Sequence, residues 1–232
     1  MNQYYLENFE TPSLTGDEMM HCVHVMRHRL NDVIRVFDGK GKVGKAAIRN
    51  YTRKSVELEI LEVDVPLRNY KFCLSFCLLK QKERNEWIIE KGTELGVTVF
   101  YPLISERTIR DKVDYERMRS LAIAAAKQSQ NDFAPVVHKF IYTWELNCLK
   151  DKYESKVFGF CEEHEKKVPI SQGINGKSIL VVIGPEGDFT TKEADDMVAL
   201  DFVPVSLGKT RLRAETASIM AASVVKNHID HA

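Results

Sequence analysis

The sequence predicts an α/β fold, a parallel sheet interleaved with helices and preceded by a small β-rich barrel domain. Three observations predict it. Residues 1–67 place apolar side chains at near-period-2 spacing with turn signals between them. Beyond a linker at Pro66-Leu67-Arg68-Asn69, continuous apolar runs alternate with helical periodicity, the pattern of strands buried on both faces and joined by helices. Two loops, Gly184-Pro185-Glu186-Gly187 and Leu207-Gly208, each follow directly on a short apolar strand. Ligands of open parallel sheets bind just beyond the carboxyl ends of strands. The expected division is therefore 1–67 and 68–232.

Each element has its own signal. Gly16 to Arg29 reads as a short helical stretch, and Val33 to Phe37 as a strand running into the turn Asp38-Gly39. Val56, Leu58 and Ile60 alternate with acids, and the slip between Ile60 and Val63 predicts a bulge. Phe72 to Leu79 is an unbroken strand, Arg84 to Leu95 a helix with Gly96 just past its end, and Val97 to Ile104 a second strand. Asp114 is a candidate N-cap for a helix reaching Gln130. Val157 to Cys161, Ile179 to Ile183 and Phe202 to Leu207 are the later strands, and Thr216 to His228 is the terminal helix.

Composition narrows the function classes. With 33 basic and 33 acidic residues the chain is formally neutral, which counts against a nucleic-acid binder on whole-chain charge. Locally the balance differs. Lys40, Lys42, Lys45, Arg49, Arg53 and Lys54 fall in a run without an acid, and Lys80, Lys82 and Arg84 form a second cluster. No run approaches the roughly 20 apolar residues of a membrane span, and the first residues show neither the basic nor the apolar part of a signal peptide. The odd count of five scattered cysteines fits reduced thiols and a cytoplasmic location. His21, His24 and His28 share a helical face, but no acid or cysteine completes a tetrahedral set, so no metal is expected. Arg27 and Arg29 beside them suit phosphate contact. Gly208-Lys209-Thr210 and Gly176-Lys177-Ser178 imitate the end of a P-loop, yet Val203 and Ser171 stand where the first glycine belongs, which excludes that reading.

The combination of Gly184-Pro185-Glu186-Gly187, Leu207-Gly208 and Leu212-Arg213-Ala214-Glu215-Thr216-Ala217 resembles the RsmE family of the SPOUT methyltransferases. Trp87 to Val97 is similar to that family's conserved helix, and Pro102 to Arg107 to the strand end that follows it. His24-Val25-Met26-Arg27 and Asp38-Gly39-Lys40-Gly41 are similar to its small first domain. The resemblance covers almost the whole chain. It implies a PUA-like RNA-binding domain, a SPOUT-type sheet with a C-terminal trefoil knot, S-adenosyl-L-methionine as cofactor, a homodimer, and methylation of uridine N3 in small-subunit (16S) ribosomal RNA. Departures from the family pattern stand at Asp188, Lys209-Thr210 and Gln130 to Asp132. A SPOUT methyltransferase on another RNA site and an RNA-binding protein with vestigial loops are the alternatives.

Under this resemblance Phe160, Cys161, Ile183, Gly184, Pro185, Glu186, Gly187, Leu207, Gly208, Leu212 and Thr216 are the expected cofactor site. Bare glycine backbone and apolar walls suit an adenosine and a methionine chain. Uridine N3 must lose its proton before it attacks a methyl group. Arg213 is the candidate for stabilising the resulting charge, and Glu215 for accepting the proton. Arg27, Arg29, Lys40, Lys42, Lys80, Lys82, Arg84, Arg107 and Gln128 are the expected RNA contacts.

Overall fold

A computed structural model of the chain describes residues 3–109 and 112–232. The chain divides into two compact units, Met1–Arg68 with Ile123–Ala134, and Asn69–Ala122 with Pro135–Ala232.

The first unit is a five-stranded sheet. Its strands are β1 (Gln3–Tyr5), β2 (Ser13–Thr15), β3 (Val33–Phe37), β4 (Val43–Tyr51) and β5 (Ser55–Asp64), in the order β1-β3-β4-β5-β2. Between β2 and β3 runs α1 (Gly16–Met20), which continues into a wider π-turn over His21–Val25. Alternation works as the period-2 pattern requires: Ile34 and Val36 of β3 meet Ala46, Ile48, Val56 and Leu58 in one core. The predicted bulge is present. Lys45 pairs with Glu62 and Ala46 with Ile60, leaving Leu61 unpaired. The segment 123–134, which the sequence assigns to the second domain, belongs to this unit. Ala126 packs with Phe37 and Val43, the Ala134 amide donates to the Gly39 carbonyl, and Arg35 pairs with Asp132.

The second unit holds β6 (Lys71–Cys77), α2 (Lys82–Glu94), β7 (Val99–Ile104), α3 (Tyr115–Gln128, whose last turns lie in the first unit), β8 (Val136–Val137) and β9 (Ile141–Tyr142). It continues through a 3-10 helix (Thr143–Lys152) to β10 (Ser155–Gly159), β11 (Val168–Pro169), α4 (Ile170–Gly173) and β12 (Ser178–Ile183). It ends with α5 (Thr191–Ala199), β13 (Val203–Ser206) and α6 (Ala214–His231). The strands lie in the order β11-β13-β10-β12-β6-β7-β8, with β9 also on β7, and every pairing is parallel. The chain leaves β10, visits the edge at β11, returns inside at β12, and then slips β13 into the gap between β10 and β11. The parallel sheet interleaved with helices is the one the sequence predicts.

Side chains of β6 point alternately into two cores. Phe72, Leu74 and Phe76 face α2 and α6 through Ile88, Ile89, Ala221 and Val225. Cys73 and Cys77 face α5 and the 3-10 helix through Ala194, Met197, Leu146 and Leu149. Pro102, a residue without an N–H inside a central strand, falls between the stretch of β7 paired with β8 and the stretch paired with β9. Gly96 and Asp114 hold their expected places, and α5 adds a cap of its own. Gly96 closes α2 at φ 82°, Asp114 Oδ1 accepts from the Arg117 amide, and Thr190 with Glu193 forms a capping box on α5. α2 and α6 each begin two residues earlier than the periodicity predicts.

Candidate active site

Three neighbouring strands end at one cleft of about 880 Å³. β10 delivers Gly159, Phe160 and Cys161; β12 delivers Ile183 and the Gly184 to Asp188 loop; β13 delivers Leu207, Gly208 and the run to Arg213. Because β10 lies between β12 and β13, loops far apart in sequence face each other. Of the expected cofactor residues, only Thr216 does not line the cleft; it is exposed on α6.

The loops are held by identifiable bonds. The Glu186 carboxylate accepts from the Lys80 amide at 3.1 Å, which ties the Gly184 loop to the end of β6. Arg107 donates to the Gly187 carbonyl at 2.7 Å. Asn85, buried, accepts from the Leu79 amide and donates to the Leu79 and Gln81 carbonyls, so it fixes the turn that carries Lys80 and Arg84. Asp188 explains its departure from the family pattern. Its φ of 62° is glycine-like backbone that aspartate tolerates, and its carboxylate accepts from the Cys161 and Phe189 amides, each at 2.9 Å. Lys167 donates to the Cys161 and Glu162 carbonyls. Partial desolvation and the neighbouring Asp188 carboxylate push the Cys161 thiol above its usual range. The thiol therefore favours its protonated, poorly nucleophilic form. None of Asn85, Asp188 and Lys167 was an expected site residue. Their work is done through backbone groups, which no residue pattern announces.

The glycines differ in what they require. Gly208 adopts φ 134°, and a Cβ there would meet nothing within 4 Å, so it borders open space in a conformation that L side chains rarely adopt. At Gly184 a Cβ would press on the Phe189 ring at 3.1 Å. At Gly187 it would make only an ordinary contact with Arg107 at 3.4 Å. A bare-backbone slot at Gly208, walled by Phe160, Ile183, Leu207 and Leu212, fits the adenosine and methionine portions of S-adenosylmethionine.

Charge is concentrated here. Six basic side chains line the cleft (Arg84, Arg107, Lys167, Lys209, Arg211 and Arg213) against the three carboxylates of Glu162, Glu186 and Asp188. Arg213 is the N-cap of α6 and makes no side-chain capping bond. Glu215 does not line the cleft. Its Oε1 lies 3.5 Å from Arg84 Nε.

The expected RNA contacts separate into two sets. Arg84 and Arg107 line the cleft, and Lys82 is paired with Glu86. Arg27, Arg29, Lys40, Lys42 and Gln128 belong to the first unit. There Arg27 sits at φ 55° just past the π-turn, and Lys42 lies over the Phe9 ring at 4.8 Å. The run Lys40 to Lys54 is not free of acids in space, because antiparallel register sets Lys45 against Glu62 and Arg49 near Glu59. Among the described residues no cluster of three His, Cys, Asp or Glu side chains is placed to hold a metal ion.

A re-entrant parallel sheet with glycine loops and an arginine-lined cleft at its strand ends is the fold the SPOUT resemblance implies. The family models agree: residues 67–226 match an RNA methyltransferase domain and residues 14–61 an RNA methyltransferase PUA domain. The chain belongs to this RNA methyltransferase family. It is 29% identical to the ribosomal RNA small subunit methyltransferase E of Bacillus subtilis, over 97% of this chain and 93% of that protein. A probable rRNA methyltransferase from Porphyromonas gingivalis superposes with a TM-score of 0.91 at 29% identity, covering 100% of this chain and 99% of the other. The Neisseria gonorrhoeae ribosomal RNA small subunit methyltransferase E, solved bound to S-adenosyl methionine, superposes with a TM-score of 0.78 at 28% identity, covering 98% and 97%.

Proposed function

We propose that this chain methylates N3 of a uridine in small-subunit (16S) ribosomal RNA, with S-adenosyl-L-methionine as donor. The observation that carries the reading is the Gly208 slot in one cleft with the Arg213 guanidinium, which makes no capping bond and has no ion pair among the described residues. When bound, the cofactor supplies an electrophilic methyl carbon, and its sulfur keeps the electron pair of the bond that breaks. The protein's contribution is to hold N3 in line with that carbon and to favour the N3 anion. Arg213 suits the second task. The positive end of the α6 dipole already stands at its position, so a cation there costs stability unless an anion forms nearby. The neighbouring basic side chains offset phosphate charge around the target nucleotide.

The reading extends to the assembly. α6 presents Met220 at 43% exposure with Ile219 and Val224 half-buried, and α2, which packs on α6, presents Trp87 at 40%. A second copy covering these apolar side chains gives a homodimer, with a mass of twice 26.6 kDa by light scattering. A stable monomer at micromolar concentration would sink the dimer. Among the described residues no helix is long and apolar enough to cross a membrane, which suits a cytosolic enzyme acting on rRNA, within the assembled small subunit on this reading. The function itself is tested by mass mapping 3-methyluridine in ribosomal RNA from a strain lacking the protein. Loss of one 3-methyluridine, restored by the gene, is expected. Retention of every site would overturn the assignment.

A further inference from the structure

Glu215 and Arg84 form a pair whose asymmetry has a consequence for the reaction. Glu215 is the second residue of α6, and its side chain is only 13% exposed. One carboxylate oxygen, Oε1, lies 3.5 Å from Arg84 Nε, while Oε2 is buried without a hydrogen-bond partner among the described residues. The pair is therefore an ion pair whose closest approach is at Nε, not a two-bonded fork. The terminal N–H groups of Arg84 remain for something else. Arg84 lines the cleft and Glu215 does not. The backbone at Arg84 is rigid, since its amide donates to the Gln81 carbonyl and buried Asn85 locks the same turn.

This arrangement fits poorly with Glu215 as a proton acceptor. It pairs with a guanidinium that lines the cleft while it does not itself line it, and a base must reach the proton it removes. It fits well with Glu215 as a holder. A lone arginine at a cleft wall samples many rotamers, and a buried carboxylate on its Nε removes most of them.

Resting on the reading of uridine-N3 methyl transfer given above, we propose that Arg84 is a second catalytic guanidinium that donates to a carbonyl of the target uracil, and that Glu215 is its positioning residue. Arg84 and Arg213 together stabilise the N3 anion. The N3 proton leaves to solvent hydroxide or water, the N3 lone pair forms the new bond to the methyl carbon, and the departing sulfur takes the electron pair of the broken bond. No protein base is consumed or regenerated.

The test is a double-mutant cycle on an RNA substrate, followed from pH 6 to 10, with cofactor affinity measured separately by calorimetry. Glu215→Gln keeps an acceptor for Arg84 Nε, and kcat should fall less than about tenfold with the wild-type pH profile retained. Glu215→Ala should lose more. Arg84→Lys keeps charge but not the planar fork, and kcat should fall at least 30-fold with KM nearly unchanged. Arg84→Gln with Glu215→Gln should be no worse than Arg84→Gln alone, because the holder has nothing left to hold. Cofactor affinity and melting temperature should stay at wild-type values throughout. If Glu215→Gln were as inactive as Glu215→Ala and lost the rise of rate with pH, Glu215 would be the base and the proposal would fall. If Arg84→Lys altered only KM and its salt dependence, Arg84 would be a phosphate contact and the proposal would fall equally. A wild-type protein that made no 3-methyluridine would overturn the parent reading as well, so the two failures are distinguishable.

Discussion

The two compact units treat charge in opposite ways. In the five-stranded unit, strand register sets opposite charges beside each other: Lys45 with Glu62, Arg49 with Glu59, and, outside the sheet, Lys127 with Glu18. In the cleft of the parallel unit, five of the six basic side chains sit on loops past the strand ends, where no facing strand brings an acid, although the helices of that unit carry pairs of their own, such as Lys91 with Glu94. Arg107 and Lys167 spend their donors on backbone carbonyls, and among the described residues no carboxylate pairs with Lys209, Arg211 or Arg213. A formally neutral chain can thus hold a strongly basic cleft. Whole-chain charge misleads because it averages a neutralised surface with a site whose cations are left for a ligand.

Arg213 tests this contrast most strongly. Arg213→Lys preserves charge and loses the planar fork. Turnover should drop by about 100-fold or more, roughly 2.7 kcal/mol of transition-state stabilisation, in single-turnover assays. Melting temperature and cofactor affinity should barely move, since the side chain caps nothing. A lysine variant turning over at the wild-type rate would return Arg213 to the ordinary surface.

The slot beneath it comes next. Gly208→Val combines a conformation unfavourable to any L residue with branched carbons in open space. Cofactor affinity by calorimetry should fall at least tenfold, about 1.4 kcal/mol. Gly187→Val makes a useful contrast, because its Cβ meets only Arg107 and its loss should be smaller. Equal losses at the two positions would mean that the Gly208 backbone is not part of the slot.

These two sites also show what was legible. Strand, glycine loop and last-helix arginine lie within about thirty residues of one another, so sequence adjacency alone implied a pocket. The parallel pairing, the bulge at Leu61 and the end at Gly96 followed from the strand–helix alternation, from periodicity and from glycine conformational freedom, whereas the strand order did not. What escaped were pairings across long separations. Lys80 meets Glu186 across 106 residues, and Thr143 and Glu106 both bond to the buried Glu193. The charge run at Lys40 to Lys54 misled for the same reason, since its counterions arrive from another strand. Arg84 read as an RNA contact and Glu215 as a base, and nothing in the sequence showed that the two side chains lie together.

On the first unit the expected effects are smaller. Lys40 is exposed and carries no ion pair among the described residues, and Lys42 is half-buried over Phe9. Replacing both with glutamine should weaken RNA binding several-fold and make its log–log salt slope shallower by about 1 to 2. Cofactor affinity should be unchanged. An unaltered salt slope would remove this face from the RNA path.

The smallest effect is expected at Lys45, and it decides whether pairing or mere positive charge matters. Its Nζ lies 2.9 Å from Glu62 Oε2, with both side chains more than half exposed. Exposed pairs of this kind contribute about 0.2–1 kcal/mol to stability. Lys45→Gln should therefore cost under 1 kcal/mol in urea unfolding, and the cycle with Glu62→Gln should recover a coupling of that size. Its effect on RNA affinity should lie below that of either Lys40→Gln or Lys42→Gln, because the ammonium already has a counterion and releases little on meeting a phosphate. Glu62→Gln frees that ammonium and should strengthen RNA binding slightly, with a steeper salt slope. If Lys45→Gln instead weakened RNA binding as much as Lys40→Gln, the cross-strand partner would not be neutralising it. The unit would then behave as an unpaired basic surface, and the contrast with the cleft would collapse.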